Sequence, residues 1–113
     1  MKKIKSVTIG IPAHNEAKNI SLLLNSIVMQ KQLSYKLDSV IVLCDGCTDN
    51  TSDIARKYEK QYKYISQLKD GKRIGKSPRL NQLFKLNQSD IVIIFDGDTV
   101  LANQMVVEKI VEQ

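Results

Sequence analysis

At 113 residues the chain is at most one domain, large enough for a core but near the lower edge of common domain size. Hydrophobic residues make up 42% and charged residues 26%, which excludes a disordered polar segment and fits a globular protein. The net charge of +5 (17 Lys and Arg against 12 Asp and Glu) favours an anionic partner, but four Tyr, two Phe and no Trp offer no base-stacking surface. No nucleic-acid partner is therefore expected, whereas a phosphate-bearing small molecule fits.

The start, Met1-Lys2-Lys3-Ile4-Lys5, has the charge of a signal peptide without its apolar core, because the run Val7 to Ile11 stops at Pro12. No apolar stretch approaches the roughly 20 residues of a membrane span. Two cysteines without a secretion signal point to a reducing, cytoplasmic setting.

Ser6 to Ile11 reads as a first strand, ended by Pro12. Asn15 is a candidate N-cap, with Glu16 in the first turn of a helix whose face is Ile20, Leu23, Leu24, Ile27 and Val28, running to about Gln30. After a polar connection from Gln32 to Lys36, Ser39 to Cys44 is a second uncharged strand closed by Asp45-Gly46. Thr48 or Asp49 can cap a second helix, with Ile54, Ala55 and Tyr58 on one face. Tyr64 to Leu68 alternates like an edge strand. Lys69 to Lys76 is a basic, Gly-containing loop, and Ser77-Pro78 has the form of a helix start, with Leu80, Leu83 and Phe84 as the apolar face. Asp90 to Thr99 supplies a fourth strand, read as buried on both faces. A last helix begins near Asn103, with Val106, Val107, Ile110 and Val111 apolar. It reaches Gln113 without a stop signal, as in a chain cut in mid-fold. The alternation predicts an α/β fold, a Rossmann-like, mostly parallel open sheet with helices on both faces, incomplete at its C-terminus.

Strand ends in such a sheet carry the ligand site. Here they bring Ala13-His14-Asn15-Glu16, Asp45-Gly46 and Asp96-Gly97-Asp98 to one rim. In an extended segment Asp96 and Asp98 point the same way, and Gly97 permits a sharp bend or close approach. Two carboxylates so close invite a divalent cation. Gly75-Lys76-Ser77-Pro78 adds a Lys at a helix N-terminus, a ready anion site. An acidic pair beside a cationic helix start suits a diphosphate bridged by Mg²⁺ or Mn²⁺. Asp45, set back from the pair, can accept from a base edge: one N–H of uracil, or two from guanine.

Val7 to Glu16, Cys44 to Thr51, Gly75 to Asn81 and Asp96-Gly97-Asp98, in this order and spacing, resemble the amino-terminal half of a family 2 glycosyltransferase of GT-A fold. The resemblance covers nearly the whole chain and treats residues 1–113 as one truncated nucleotide-sugar-binding domain. It implies a nucleotide-diphosphate sugar donor, usually a UDP-sugar, a divalent metal, and hexosyl transfer to a glycan or lipid-linked acceptor hydroxyl, as in polysaccharide biosynthesis, with inversion. It also implies that Pro12, Ala13, His14, Asn15 and Glu16 line the nucleotide pocket and that Asp45 contacts the base. Gly75 and Lys76 lie near the donor, Asp96 with Gly97 meets ribose or metal, and Asp98 binds the metal. Cys44 and Cys47 depart from the family's usual acidic residue and Ser. The family's general base lies beyond the acidic pair and is expected past Gln113, so no catalytic residue falls within the chain and the 113 residues alone are expected to bind donor without turnover. A cytoplasmic location is expected, at the inner membrane face if a longer chain carries an anchor.

Three alternatives compete. Cys44-Asp45-Gly46-Cys47 has CxxC spacing, but Asp45 disfavours a thiolate and no second pair exists for zinc, so small buried thiols are the plainer reading. A phosphoreceiver domain would need an acidic pair after the first strand, where Pro12-Ala13-His14-Asn15 stands. A noncatalytic nucleotide-sugar-binding module shares every donor-site feature.

Overall fold

The structure is a computed structural model describing residues 3–113; the charged start at Met1 and Lys2 lies outside the described residues. Strands β1 (Lys5–Ala13), β2 (Tyr35–Cys44), β3 (Ile65–Lys69) and β4 (Ile91–Ile94) alternate with helices α1 (Ile20–Val28), α2 (Thr51–Gln61), α3 (Lys76–Leu86) and α4 (Val106–Val111). The strands form one four-stranded sheet in the order β3-β2-β1-β4, every pair parallel. This is the α/β architecture expected from the alternation. Among the described residues no helix is long and apolar enough to cross a membrane.

Side-chain alternation along β1 builds the two layers. Val7, Ile9, Ile11 and Ala13 enter the main core with Ile20, Leu23, Leu24 and Ile27 of α1, Ala55 of α2 and Val107 of α4. Gly10 faces the other way, onto Leu83 of α3; a Cβ there would collide with the Leu83 side chain. Helices therefore cover both faces, and α3 crosses back over the sheet to deliver β4 beside β1.

Several local expectations are corrected. β1 runs through Pro12 to Ala13. Gly10 O accepts from Phe95 N on the β4 side, while Ala13 O accepts from Asp45 N on the β2 side. Pro12 therefore directs its N–H-less nitrogen toward the β4 side, past the last β1–β4 pair, Gly10–Ile94, and no ladder bond is lost. β2 begins at Tyr35, inside the stretch read as a connection. Asn15 caps no helix: it sits at φ 53°, a left-handed conformation that Asn tolerates, and α1 starts only after a turn in which Glu16 O accepts from Asn19 N and Ile20 N. α3 begins at Lys76 with Gly75 as its cap, so Ser77-Pro78 lies inside the first turn. On α3 Phe84 is exposed, and the buried positions are Arg79 and Leu83. β4 is an edge strand with only Ile93 buried, so its apolar run is not covered on both faces. α4 starts at Val106 rather than Asn103, and Ile110 is exposed.

Candidate functional site

The carboxyl ends of β1, β2 and β4 and the start of α3 enclose a cleft of about 360 Å³, within the range of small-ligand pockets. Pro12 and Ala13 line it from β1, His14 and Glu16 from the loop after it, Asp45 from just past β2, Gly75 and Lys76 from the start of α3, and Asp96, Gly97 and Asp98 from the turn after β4. Of the residues expected to contact donor or metal, Asn15 is not on the lining, and neither are Gly46, Ser77 and Pro78 from the same motifs. The Asn15 Oδ1 accepts from Thr48 N (2.8 Å) and Asp49 N (3.2 Å), tying the loop after β1 to the loop after β2. Thr51 strengthens the same seam by accepting from Glu16 N (2.8 Å).

His14 is held in one tautomer. Its Nδ1 lies 2.7 Å from Asp45 O, which only accepts, so Nδ1 carries the proton; Nε2 faces the Asn15 amide at 3.3 Å. The acidic turn is close-packed: a Cβ on Gly97 would stand 2.8 Å from Glu16 Cγ and 3.2 Å from its Cβ. Asp96 and Asp98 are both exposed at the cleft. Lys76 Nζ sits 2.7 Å from Asp96 Oδ1, so an ammonium already meets half of the acidic pair.

Asp45 is 7% exposed and heavily engaged. Its Oδ1 accepts from Ile74 N (2.7 Å), Gly75 N (3.2 Å) and Arg79 Nε (3.1 Å), and its Oδ2 from Gly75 N (3.1 Å). Burial works against its charge, but the Ile74 N–H, the Arg79 guanidinium and the Gly75 N–H outweigh it and hold its pKa below the usual carboxylate value.

Two lining residues escaped the sequence reading, Arg73 and Arg79. A signal for Arg79 existed: it stands four residues before Leu83 on one helix face, so a stripe through Leu83 includes it. Leu80 and Phe84 offered a more hydrophobic stripe and masked it.

Neither cysteine is on the cleft lining, and Cys47 is only half-buried. Cys44 is buried, donates to Gln67 Oε1 at 3.2 Å, and burial with the nearby Cys47 pushes its thiol up to about 12. Cys47 donates to Ala13 O at 3.4 Å. The Cys44 thiol, so far from ionising, is a poor nucleophile or metal ligand.

Among the described residues no three His, Cys, Asp or Glu side chains are grouped to hold a metal ion. The carboxylates at the cleft that could hold a cation are Asp96 and Asp98. Their chemistry fits a hard cation that takes one or two carboxylates and completes its shell with phosphate oxygens and water, and does not fit an all-protein cage.

Parallel strands whose carboxyl ends frame a polar cleft with an acidic turn and a basic helix start define an α/β domain of the open-sheet kind, with its cleft where such sheets carry ligand sites. The chain belongs to glycosyl transferase family 2, whose profile matches residues 8–113. It is 37% identical over 109 residues to a 4,4'-diaponeurosporenoate glycosyltransferase of Staphylococcus aureus, covering 96% of this chain and 28% of that protein. It is 33% identical over 105 residues to the probable glycosyltransferase YdaM of Bacillus subtilis, covering 87% and 24%. Among solved structures, a Pyrobaculum calidifontis mannosyltransferase in complex with GDP-Man and Mn²⁺ superposes with a TM-score of 0.88 at 26% identity, over 97% of this chain and 32% of that one. S. aureus TarS 1–349 in complex with UDP-GlcNAc gives 0.75 at 27% identity, over 95% and 30%. The fold is thus the GT-A type, and the chain spans about a quarter to a third of the length of these relatives.

Proposed function

We infer that this chain forms the donor side of a glycosyltransferase, binding a nucleotide-diphosphate sugar with a divalent metal for transfer of the sugar to a glycan or lipid-linked hydroxyl. The observation that carries this reading is the meeting of the Asp96–Asp98 turn with Lys76 at the N-terminus of α3, Nζ to Oδ1 2.7 Å, on one cleft wall. Acid and base together are what a cation–diphosphate pair requires: the carboxylates take the cation, and Lys76 with the free N–H groups of the first turn of α3 takes phosphate oxygens. On ligand entry Lys76 exchanges Asp96 for phosphate, a modest cost because the pair is exposed. Mn²⁺ or Mg²⁺ on Asp98 and Asp96 supplies Lewis-acid stabilisation of the leaving diphosphate when bound. Lys76 adds a second positive charge where negative charge accumulates as the acceptor hydroxyl displaces the diphosphate.

Asp45 bears on the base. A carboxylate has about four acceptor positions, and three donors occupy Asp45: Ile74 N and Arg79 Nε on Oδ1, and Gly75 N shared between Oδ1 and Oδ2. One position remains, which suits the single imide N–H of uracil better than the two-donor edge of guanine, so UDP is the preferred nucleotide. Pro12 and Ala13 give the base an apolar floor, and His14, held by Asp45 O, stands beside it.

The deciding experiment is calorimetric titration of UDP and GDP into the chain with and without Mn²⁺, repeated on Asp98→Ala. Mn²⁺-dependent UDP binding, weakened at least tenfold in Asp98→Ala and stronger than GDP binding, is expected. A folded chain that binds neither nucleotide with any metal would overturn the reading. Binding without transfer to any acceptor, in a longer chain that carries a base, would instead favour a noncatalytic sugar-nucleotide module.

A further inference from the structure

We propose that Arg79 and Asp70 are positioning residues that fix the 70–75 loop, and through it the Asp45–Gly75–Lys76 wall, in the shape the nucleotide diphosphate needs. This rests on the donor-site reading above.

Arg79 is fully buried, and every guanidinium donor is used. Its Nη1 and Nη2 grip Asp70 in a two-point fork (3.0 and 2.9 Å), Nε donates to Asp45 Oδ1 (3.1 Å), Nη1 also reaches Gln82 Oε1 (3.0 Å), and Nη2 also donates to Lys72 O. Asp70 in turn accepts from Lys72 N (3.0 Å), and Asp45 from the backbone of Ile74 and Gly75. The loop is therefore tied at Asp70, Lys72, Ile74 and Gly75, on both sides of Arg73. The Arg73 side chain itself makes no hydrogen bond among the described residues and stands on the cleft wall.

A loop with Gly71 at φ 75° and Gly75 at φ 97° has wide conformational freedom, and residues 70–75 belong to no strand or helix. The main apolar core does not include Arg79. Burying an arginine with two carboxylates is a poor route to stability, since apolar residues of the same volume do as well. What the arrangement does supply is geometry: a rigid fork that spans two strand ends and a loop, which a lysine cannot reproduce. The Arg79 guanidinium and the Lys72 N–H hold the Asp70 carboxyl far below the ordinary range, so the fork stays charged through any working pH. A cleft wall held in advance spares the ligand the cost of ordering it.

The test measures UDP affinity with Mn²⁺ and amide hydrogen exchange for the unsubstituted chain, Asp70→Asn and Arg79→Lys. Expected are at least tenfold weaker UDP binding in both variants and faster exchange at Ile74 and Gly75, with exchange in β1 and β2 unchanged. A purely structural role would instead raise exchange across the core strands. Should Arg79→Lys fail to fold, Asp70→Asn, which keeps the Arg79–Asp45 contact, decides alone. UDP affinity within twofold of the unsubstituted chain, or wild-type exchange at Ile74 and Gly75, overturns the inference while leaving the donor site intact. Absence of UDP binding by the unsubstituted chain overturns both.

Discussion

Gly97 is confined by its neighbour Glu16 and has no positive φ to exploit. Gly97→Ala would place a Cβ 2.8 Å from Glu16 Cγ, which can swing aside, and 3.2 Å from Glu16 Cβ, which cannot without moving backbone. The acidic turn must then shift by some tenths of an ångström while the core is untouched. The expected result is roughly fivefold or greater loss of UDP–Mn²⁺ affinity by calorimetry, because small displacements of positioning groups cost binding geometry, with a nearly unchanged melting midpoint. Gly46 differs: φ is 58°, and an added Cβ would meet Arg73 Cβ at 2.7 Å and its Cα at 3.1 Å. Gly46→Ala is expected to lower stability by about 1–2 kcal/mol from the left-handed backbone alone, read by denaturant titration, and to displace the loop that Arg79 holds.

Between elements, the least conspicuous connection is α4 to the α1–β2 turn. Glu108 on α4 is 1% exposed and accepts from Leu33 N (2.6 Å), Ser34 N (2.7 Å) and Ser34 Oγ (2.7 Å). Gln30 answers from the other side, donating to Asn103 O (2.6 Å) and accepting from Val107 N (3.1 Å). Burial opposes the Glu108 charge, but the Ser34 and Leu33 donors outweigh it and lower its pKa from 4.5. Because the folded pKa lies below the unfolded one, Glu108 contributes stability at neutral pH that is lost as pH falls below about 4.5. Glu108→Gln turns an amide N–H toward donors and should cost about 2 kcal/mol at pH 7. The difference from the unsubstituted chain should shrink in acid, which unfolding curves at pH 7 and pH 3.5 would measure.

The elements most legible in the sequence were those with strong period: the β1 and β2 runs, and the α1 face, of which Ile20, Leu23, Leu24 and Ile27 are buried and Val28 is half-buried. Readings failed where one residue type serves two purposes. Pro12 normally ends a strand, yet its position on the unpaired side of β1 lets the strand continue. Phe84 promised a core residue, yet a fully satisfied arginine took the buried stripe. At the site, the strand-end motifs located eight of the cleft's lining residues because a parallel sheet forces its carboxyl ends together, and the helix-start motif added Gly75 and Lys76. Arg79 stayed hidden because its partners, Asp45 and Asp70, lie 34 and 9 residues away, and only the folded loop shows that a charge can be buried there.

At the scale of the whole molecule, β1 occupies an inner position, paired with β2 on one side and β4 on the other. The first of these pairings closes over a single helical crossover. The second joins residues as far apart as Ser6 and Asp90, 84 positions along the chain. Long closures are slow, so β4 is the last strand able to dock. Asp96 and Asp98 ride on its end, which makes the cleft the final product of folding. A nucleotide–metal complex can recognise only the finished state. Saturating UDP and Mn²⁺ should therefore slow unfolding in stopped-flow experiments and leave the refolding rate unchanged. During synthesis, the inner strand of this sheet waits with one edge open until nearly the whole described chain has been made. Lys5 at the start of that edge and Pro12 near its end are the residues of β1 that discourage the nascent chain from pairing with a neighbour.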